Sequence, residues 1–351
     1  MNVTGNKYRY HRRSWVLFAV LIMLLLLLFL ADLFTGSVMI PFKDGIRALF
    51  MPSSAPETTR IILQDFRLPK AITAMVTGIA LSVSGLQMQT VFRNPLAGPY
   101  VLGISAGASL GVALFALGFS SALTWGFMSG TGAWSLALVA WSGAFLVMLL
   151  VLFVSARVND NMTILILGIL FSSAASSVVS ILQYFSSEAM LKSFIVWTMG
   201  SLGGVTFSQL AVLVPATVAG VLIAFYKTKD LNAFLLGENY ARSLGVNIIR
   251  SRLVIFFGAS LLAGTITAFC GPIGFIGIAV PHLARVMFKT ANHLVLVPAV
   301  ILTGANVMLL SDIIAQLPGF QATLPINSVT ALLGIPVVVW MIVKNRKFAA
   351  I

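Results

Sequence analysis

The sequence predicts an all-α polytopic membrane protein with ten transmembrane helices per subunit. Three observations lead there. Only 9% of the 351 residues are charged and 59% are hydrophobic, where a soluble domain carries roughly 25% charge. Long runs hold no charge at all: 14–31, 71–92, 94–156, 161–187, 193–226, 253–284, 294–311 and 313–343. Glycine, proline and charge clusters cut these runs into pieces of about 20 residues, the length a helix needs to cross hydrocarbon.

Taken in order, a short basic tail, 1–14, precedes the first span at about 15–35. That span follows a basic start but lacks a small-x-small cleavage site, so it reads as retained rather than as a signal peptide. An outer segment over 36–66 contains Pro41, Pro52 and Pro56, and Phe42–Met51 in its middle fits a surface helix. The second span, about 69–91, starts at Pro69, where a missing N–H costs nothing. Arg67 and Lys70 mark its outer edge. Local pattern favours cations snorkelling at a helix end; the alternative is a basic landing spot for an acidic partner.

Asn94-Pro95-Leu96-Ala97-Gly98-Pro99 breaks the chain on the inner side and leaves carbonyls that protein or water must satisfy. A tight turn and a pore mouth fit it equally. The third to fifth spans follow at about 98–118, 133–155 and 162–184. Gly103, Gly107 and Gly111 recur at four-residue spacing, which favours helix packing over a pore lining. Residues 172–180 put small hydroxyls on the fifth span, suiting close packing or a polar path for a bulky solute. Glu188–Met199 reads as a short outer helix ending at Gly200.

After the sixth span, about 207–227, comes the longest polar interruption, Asp230 to Arg252. Within it Leu231–Leu236 and Glu238–Leu244 read as helical stubs, each stopped by a glycine, Gly237 and Gly245. By itself this pattern favours an ordinary interfacial loop, because amphipathic surface helices are common. The remaining spans fall at about 251–270, 273–288, 294–315 and 325–344, with a basic tail at 345–351. Gly and Pro at 271–277 break the chain at a depth comparable to 94–99, which hints at an internal repeat of spans two to five in spans seven to ten.

Ten spans put both ends on one side, and the basic residues say which. With both termini cytosolic, only Lys43, Arg47, Arg60, Arg67, Lys70 and Lys192 of the 22 basic residues lie outside. The net charge of +13 is then a topology signal, with no nucleic acid implied. Cys270 is the single cysteine, so no internal disulfide forms, and His11, His282 and His293 lack metal-site spacing. No Gly-Lys-Thr/Ser triplet, carboxylate pair or Ser/His/Asp pattern is present, and no span carries an ionisable group near its middle. These absences speak against an enzyme, a cofactor and an ion-coupled secondary transporter. Energy for transport would come from another chain.

Four stretches are specific: 67–111, Leu236–Val246 (LGENYARSLGV), Gly271–Arg285 (GPIGFIGIAVPHLAR) and Leu324–Ile342 (LPINSVTALLGIPVVVWMI). Together and in this order they resemble the FecCD-type permeases of ABC importers for iron–siderophore, haem and cobalamin uptake. The resemblance runs from about residue 60 to the C-terminus. It implies a type II ABC importer permease fold as one domain over 15–344, with 228–252 as a cytosolic coupling loop. It implies a homodimer in the bacterial cytoplasmic membrane, two copies of a cytosolic ATPase, and a periplasmic or lipid-anchored binding protein. Carried over by position, Leu236, Gly237, Glu238, Ala241, Arg242, Ser243, Leu244, Gly245 and Val246 would engage the ATPase. Arg67 and Lys70 would meet acidic groups on the binding protein. Asn94 and Leu96, with Asn161, Met162 and Thr163, would form the cytosolic gate. Lys70 stands where Arg is usual, Gln316 at a site that is basic in close relatives, and Thr323 and Asn327 replace the common Glu and Gly. The cargo expected is a ferric siderophore, with cobalamin or haem as alternatives.

Overall fold

The computed structural model describes residues 3–36, 38, 40–51, 55–118, 134–158, 160–316 and 323–344. The expected tail 345–351 and most of the loop before Thr323 lie outside them. Among the described residues all regular structure is helical. Helix α1 spans Val3–Phe34, so the basic start and the first span form one rod; no proline interrupts them. The surface helix α2 (Phe42–Phe50) is followed by α3 (Glu57–Ile61), which runs through a π-turn at Ile62–Arg67 straight into α4 (Leu68–Val91).

Three spans follow, α5 (Ile104–Gly118), α6 (Trp134–Arg157) and α7 (Asn161–Phe185), then the short outer helix α8 (Glu188–Thr198). Next come α9 (Phe207–Tyr226), the stubs α10 (Thr228–Leu235) and α11 (Glu238–Ser243), and α12 (Ile248–Cys270). The chain closes with α13 (Ile276–Phe288), α14 (His293–Ala315) and α15 (Ile326–Lys344). Among the described residues eight helices are long and apolar enough to cross a membrane, and α5 and α13 are shorter apolar helices. The ten expected spans are these ten.

Helix α4 is the axis of the bundle, buried along nearly its whole length and packed by α9, α12, α13 and α14. Its small residues explain this. A side chain at Gly78 would collide with the Gly304 carbonyl, and one at Gly85 with the backbone of Gly277. Such contacts let backbones approach where lipid offers no hydrophobic drive for helices to associate. The Gly107 and Gly111 stripe likewise packs α5 on α6, against Val147, Gly143 and Val139.

The two short spans are short because the chain before each is unwound. Residues 94–103 contain only turns and a 3₁₀ segment at Pro99–Leu102, and 271–275 are irregular. Both lie at one depth, because Pro99 packs against Gly277. Backbone freed from a helix inside the membrane needs protein partners, and each is supplied. The Gly274 N–H donates to Asn327 Oδ1 at 2.9 Å, the Ile273 N–H to the Tyr100 hydroxyl at 3.4 Å, and the Ser201 N–H to the Cys270 carbonyl at 2.8 Å. Asn327, unusual by resemblance, thus caps the break. Asn327→Ala is expected to destabilise the protein by about 1–3 kcal/mol, the cost of an orphaned buried amide. Tyr100→Phe should cost less, because its bond is long. Thermal unfolding in detergent checks the order.

Candidate coupling surface and gate

The polar interruption after α9 folds as two stubs, with α10 beginning at Thr228, earlier than its apolar pattern suggests. Gly237 and Gly245 take φ of +102° and +84°, values that favour glycine, and so turn the chain at the end of each stub. Leu231, Phe234 and Ala241 point inward and are buried. On the opposite side Leu236, Tyr240 and Leu244, at four-residue spacing, are 62%, 53% and 58% exposed. Together they form an exposed apolar ridge beyond the ends of the spans. Arg242, Ser243 and Gly245 are exposed around it, whereas Ala241 holds the stub to the bundle and Val246 is half-buried. Tyr240 was missed by sequence reading; its spacing from Leu236 and Leu244 was the available signal.

Polar bonds fix the ridge from behind. Lys227 Nζ pairs with Asp230 at 2.8 Å, and the Ser251 hydroxyl donates to the same carboxylate oxygen at 2.7 Å. Glu238 pairs with Arg252 Nη2 at 2.9 Å. Arg252 is almost wholly buried, and its Nη1 donates to the Val158 carbonyl at 3.1 Å.

The expected gate residues sit on two turns. After α4, Arg93 adopts a left-handed φ of +48°; Leu96 N–H then donates to Asn94 Oδ1 at 2.9 Å, and Leu96 is exposed. At the start of α7 the Asp160 carboxylate accepts from the Thr163 hydroxyl (2.7 Å), the Thr163 amide (2.8 Å) and the Met162 amide (3.3 Å). The Thr163 hydroxyl, then its amide, holds the Asp160 carboxyl below the usual carboxylate range. Asn161 is the first residue of α7, and its side chain lies outside the described ones. A cleft of about 930 Å³ joins these turns to the stubs, lined by Phe92, Arg93, Asp160 and Met162 on one side and Leu236–Tyr240 and Ser243 on the other. Asn94 and Leu96 do not line it.

On the other side of the bundle, the two cations read as docking residues turn inward. Arg67 donates through Nη1 to the Leu33 carbonyl at 3.0 Å and through Nη2 to the Val38 carbonyl. Lys70 Nζ is 3.1 Å from Asp312 Oδ2. Gln316 Nε2 donates to both Asp32 (2.7 Å) and Asp312 (3.0 Å), tying α1 to α14. Arg67, Lys70, Asp312 and Gln316 line a cavity of about 650 Å³ that also includes Thr323 and Gly200–Gly203. Among the described residues no three His, Cys, Asp or Glu side chains gather to hold a metal.

The described bundle thus combines ten apolar helices, a glycine-bounded double stub and a cleft beneath it. The sequence profile of the FecCD transport family matches residues 24–344. The chain belongs to the FecCD transport family. The vitamin B12 import system permease protein BtuC of Shigella boydii is 34% identical over 334 residues, 95% of this chain and 96% of that protein. A Methanocaldococcus jannaschii protein named as an ABC transporter permease is 33% identical over 344 residues, 95% and 97% of the two chains. A solved inward-facing structure, assigned to a metal-chelate type ABC transporter, matches with TM-score 0.79 and 29% identity over 93% of this chain and 99% of that one. PsaBC from Streptococcus pneumoniae in complex with Fab, at 16% identity and TM-score 0.53, shares the fold. This FecCD protein is therefore an integral membrane permease subunit of an ABC importer, a family that works with an ATPase and a substrate-binding protein.

Gln316 is the amide that donates to two buried aspartates in this permease. Gln316→Leu is expected to destabilise it by about 2–3 kcal/mol, the worth of hydrogen bonds to charged groups. Gln316→Lys, which restores a donor, should keep stability close to wild type. Thermal unfolding in detergent separates the two outcomes.

Proposed function

We propose that this chain forms a homodimeric permease that carries a ferric siderophore inward, driven by two copies of a cytosolic ATPase seated on the α10–α11 ridge. The single observation that carries the ATPase contact is that ridge: Leu236, Tyr240 and Leu244 stand exposed on an element whose back is anchored by buried polar bonds. An apolar edge rigidly held transmits force; one on a floppy loop does not. On this reading Gly237, Glu238, Arg242, Ser243 and Gly245 frame the contact, and Ala241 and Val246 support it from inside. Both termini are cytosolic, as the distribution of basic residues requires.

The path is proposed along the exposed face of α7. Met162, Ile166, Ile169, Ser173, Ser176, Ser180 and Tyr184 follow one another at three- and four-residue steps, and all are exposed. Ser173, Ser177 and Ser180 donate to carbonyls four residues back, at 3.0, 2.9 and 2.9 Å. A second copy facing this stripe would enclose a polar-lined path ending at the gate formed by Asn94, Leu96 and the 161–163 turn. Arg67 and Lys70 are the proposed docking cations for the binding protein, and an incoming carboxylate would compete with Asp312 for Lys70.

Cobalamin is the second reading for the cargo, favoured by the vitamin B12 relatives. Uptake of a radiolabelled ferric siderophore against radiolabelled cobalamin, in cells carrying the whole importer, decides between them. For the motor contact, Leu244→Asp is expected to abolish both ATPase association and uptake while membrane insertion stays normal. Unchanged ATP-dependent uptake in that variant would sink the coupling role.

A further inference from the structure

The stubs are joined by sequence only to α9 and α12, yet the two turns of the gate belong to α4 and α7. Force has to cross between elements that are not neighbours in the chain. Two buried polar linkages make that crossing, one for each turn.

The first starts at Asn232 on α10. Its Oδ1 accepts from the backbone N–H of His293 at 2.9 Å and lies 2.8 Å from His293 Nδ1, while its Nδ2 donates to Asn292 Oδ1 at 3.0 Å. The backbone donor fixes which end of the amide is oxygen, so Nδ1 carries the proton. His293 is completely buried. Its other nitrogen, Nε2, lies 2.8 Å from the hydroxyl of Thr90 in the last turn of α4, shortly before Asn94. The ring donates to Asn232 and meets the Thr90 hydroxyl, whose proton the Leu86 carbonyl also faces at 2.8 Å, and so bridges α10 to α4 from the first residue of α14. The second linkage runs from Glu238 on α11 through Arg252 Nη2, at 2.9 Å, and from Arg252 Nη1 to the Val158 carbonyl at 3.1 Å. Val158 lies just before Asp160, whose carboxylate shapes the turn at Met162 and Thr163.

We propose that His293 and Arg252 are positioning residues that carry displacement of the stubs to the two halves of the gate, His293 to the Asn94–Leu96 turn and Arg252 to the Asp160–Thr163 turn. This rests on the coupling reading above. Apolar packing resists separation but permits sliding; a buried hydrogen bond fixes distance and direction, and breaking it leaves unsatisfied groups in a low dielectric. Each half of the gate therefore moves with the stub to which it is bonded.

Exposed gate positions give a readout that needs no cargo. Leu96→Cys and Met162→Cys place thiols on the two halves at sites 43% and 57% exposed, and the native Cys270 is buried. In the complete importer, reaction with fluorescein maleimide is measured with and without ATP, together with ATPase co-purification. Both thiols are expected to change reactivity with ATP. Thr90→Val, isosteric and without the hydroxyl that meets His293, and His293→Ala should erase that change at Leu96→Cys and preserve it at Met162→Cys. Arg252→Lys, which keeps a charge for Glu238 but lacks the second donor, should do the reverse. A merely structural role would depress both sites together, and that result overturns the proposal. So does an unaltered ATP response at Leu96→Cys in Thr90→Val, which also decides the matter if His293→Ala does not insert. Loss of ATPase association in Leu244→Asp alongside that unaltered response would sink this inference alone; retained association in Leu244→Asp would sink the coupling reading instead.

Discussion

The contact between Pro99 and Gly277 brings the unwound segment before α5 against the first turn of α13, just past the second break at 271–275. Everything else in the bundle is arranged around keeping such backbone satisfied. Hydrocarbon offers neither donor nor acceptor, and freed groups here find partners distant in the chain: Asn327 for Gly274, Tyr100 for Ile273 and the Ser201 N–H for the Cys270 carbonyl. The glycines of α4 follow from the same constraint. Gly78 and Gly85 let α14 and α13 close on α4.

The end of the bundle that carries the stubs shows how a nearly uncharged bundle holds a polar element rigidly. Charges excluded from the spans collect at their ends, where Asp230 and Glu238 meet Lys227 and Arg252. These pairs lie against the bundle rather than out in water, so they fix geometry more than a surface pair would. The ridge of Leu236, Tyr240 and Leu244 is left uncovered because its supports are all behind it. Its shape is therefore set by the permease before any partner arrives.

On the outer side the same economy leads elsewhere. Asp32, Asp312, Lys70 and Gln316 form one network that binds α1, α4 and α14 at their ends. A basic residue in place of Gln316 would alter the charge balance of that network; with an amide there, Lys70 is the cation at Asp312. Arg67 and Lys70 are thus first of all structural residues, each bonded within the bundle.

The sequence by itself determined the spans, because the length and polarity of each apolar run are set by the thickness and dielectric of hydrocarbon, which act residue by residue. It also determined the stubs, whose glycine stops are local. Tertiary structure decided what those elements touch. That Tyr240 joins the ridge while Ala241 is buried depends on how α11 lies on α12, and that Arg67 faces carbonyls at 33 and 38 depends on α1 folding back across the start of α4. His293 and Arg252 gave no signal in sequence because their partners lie far off in the chain, at Thr90, Asn232 and Val158, and a hydrogen bond between distant residues leaves no local pattern to read.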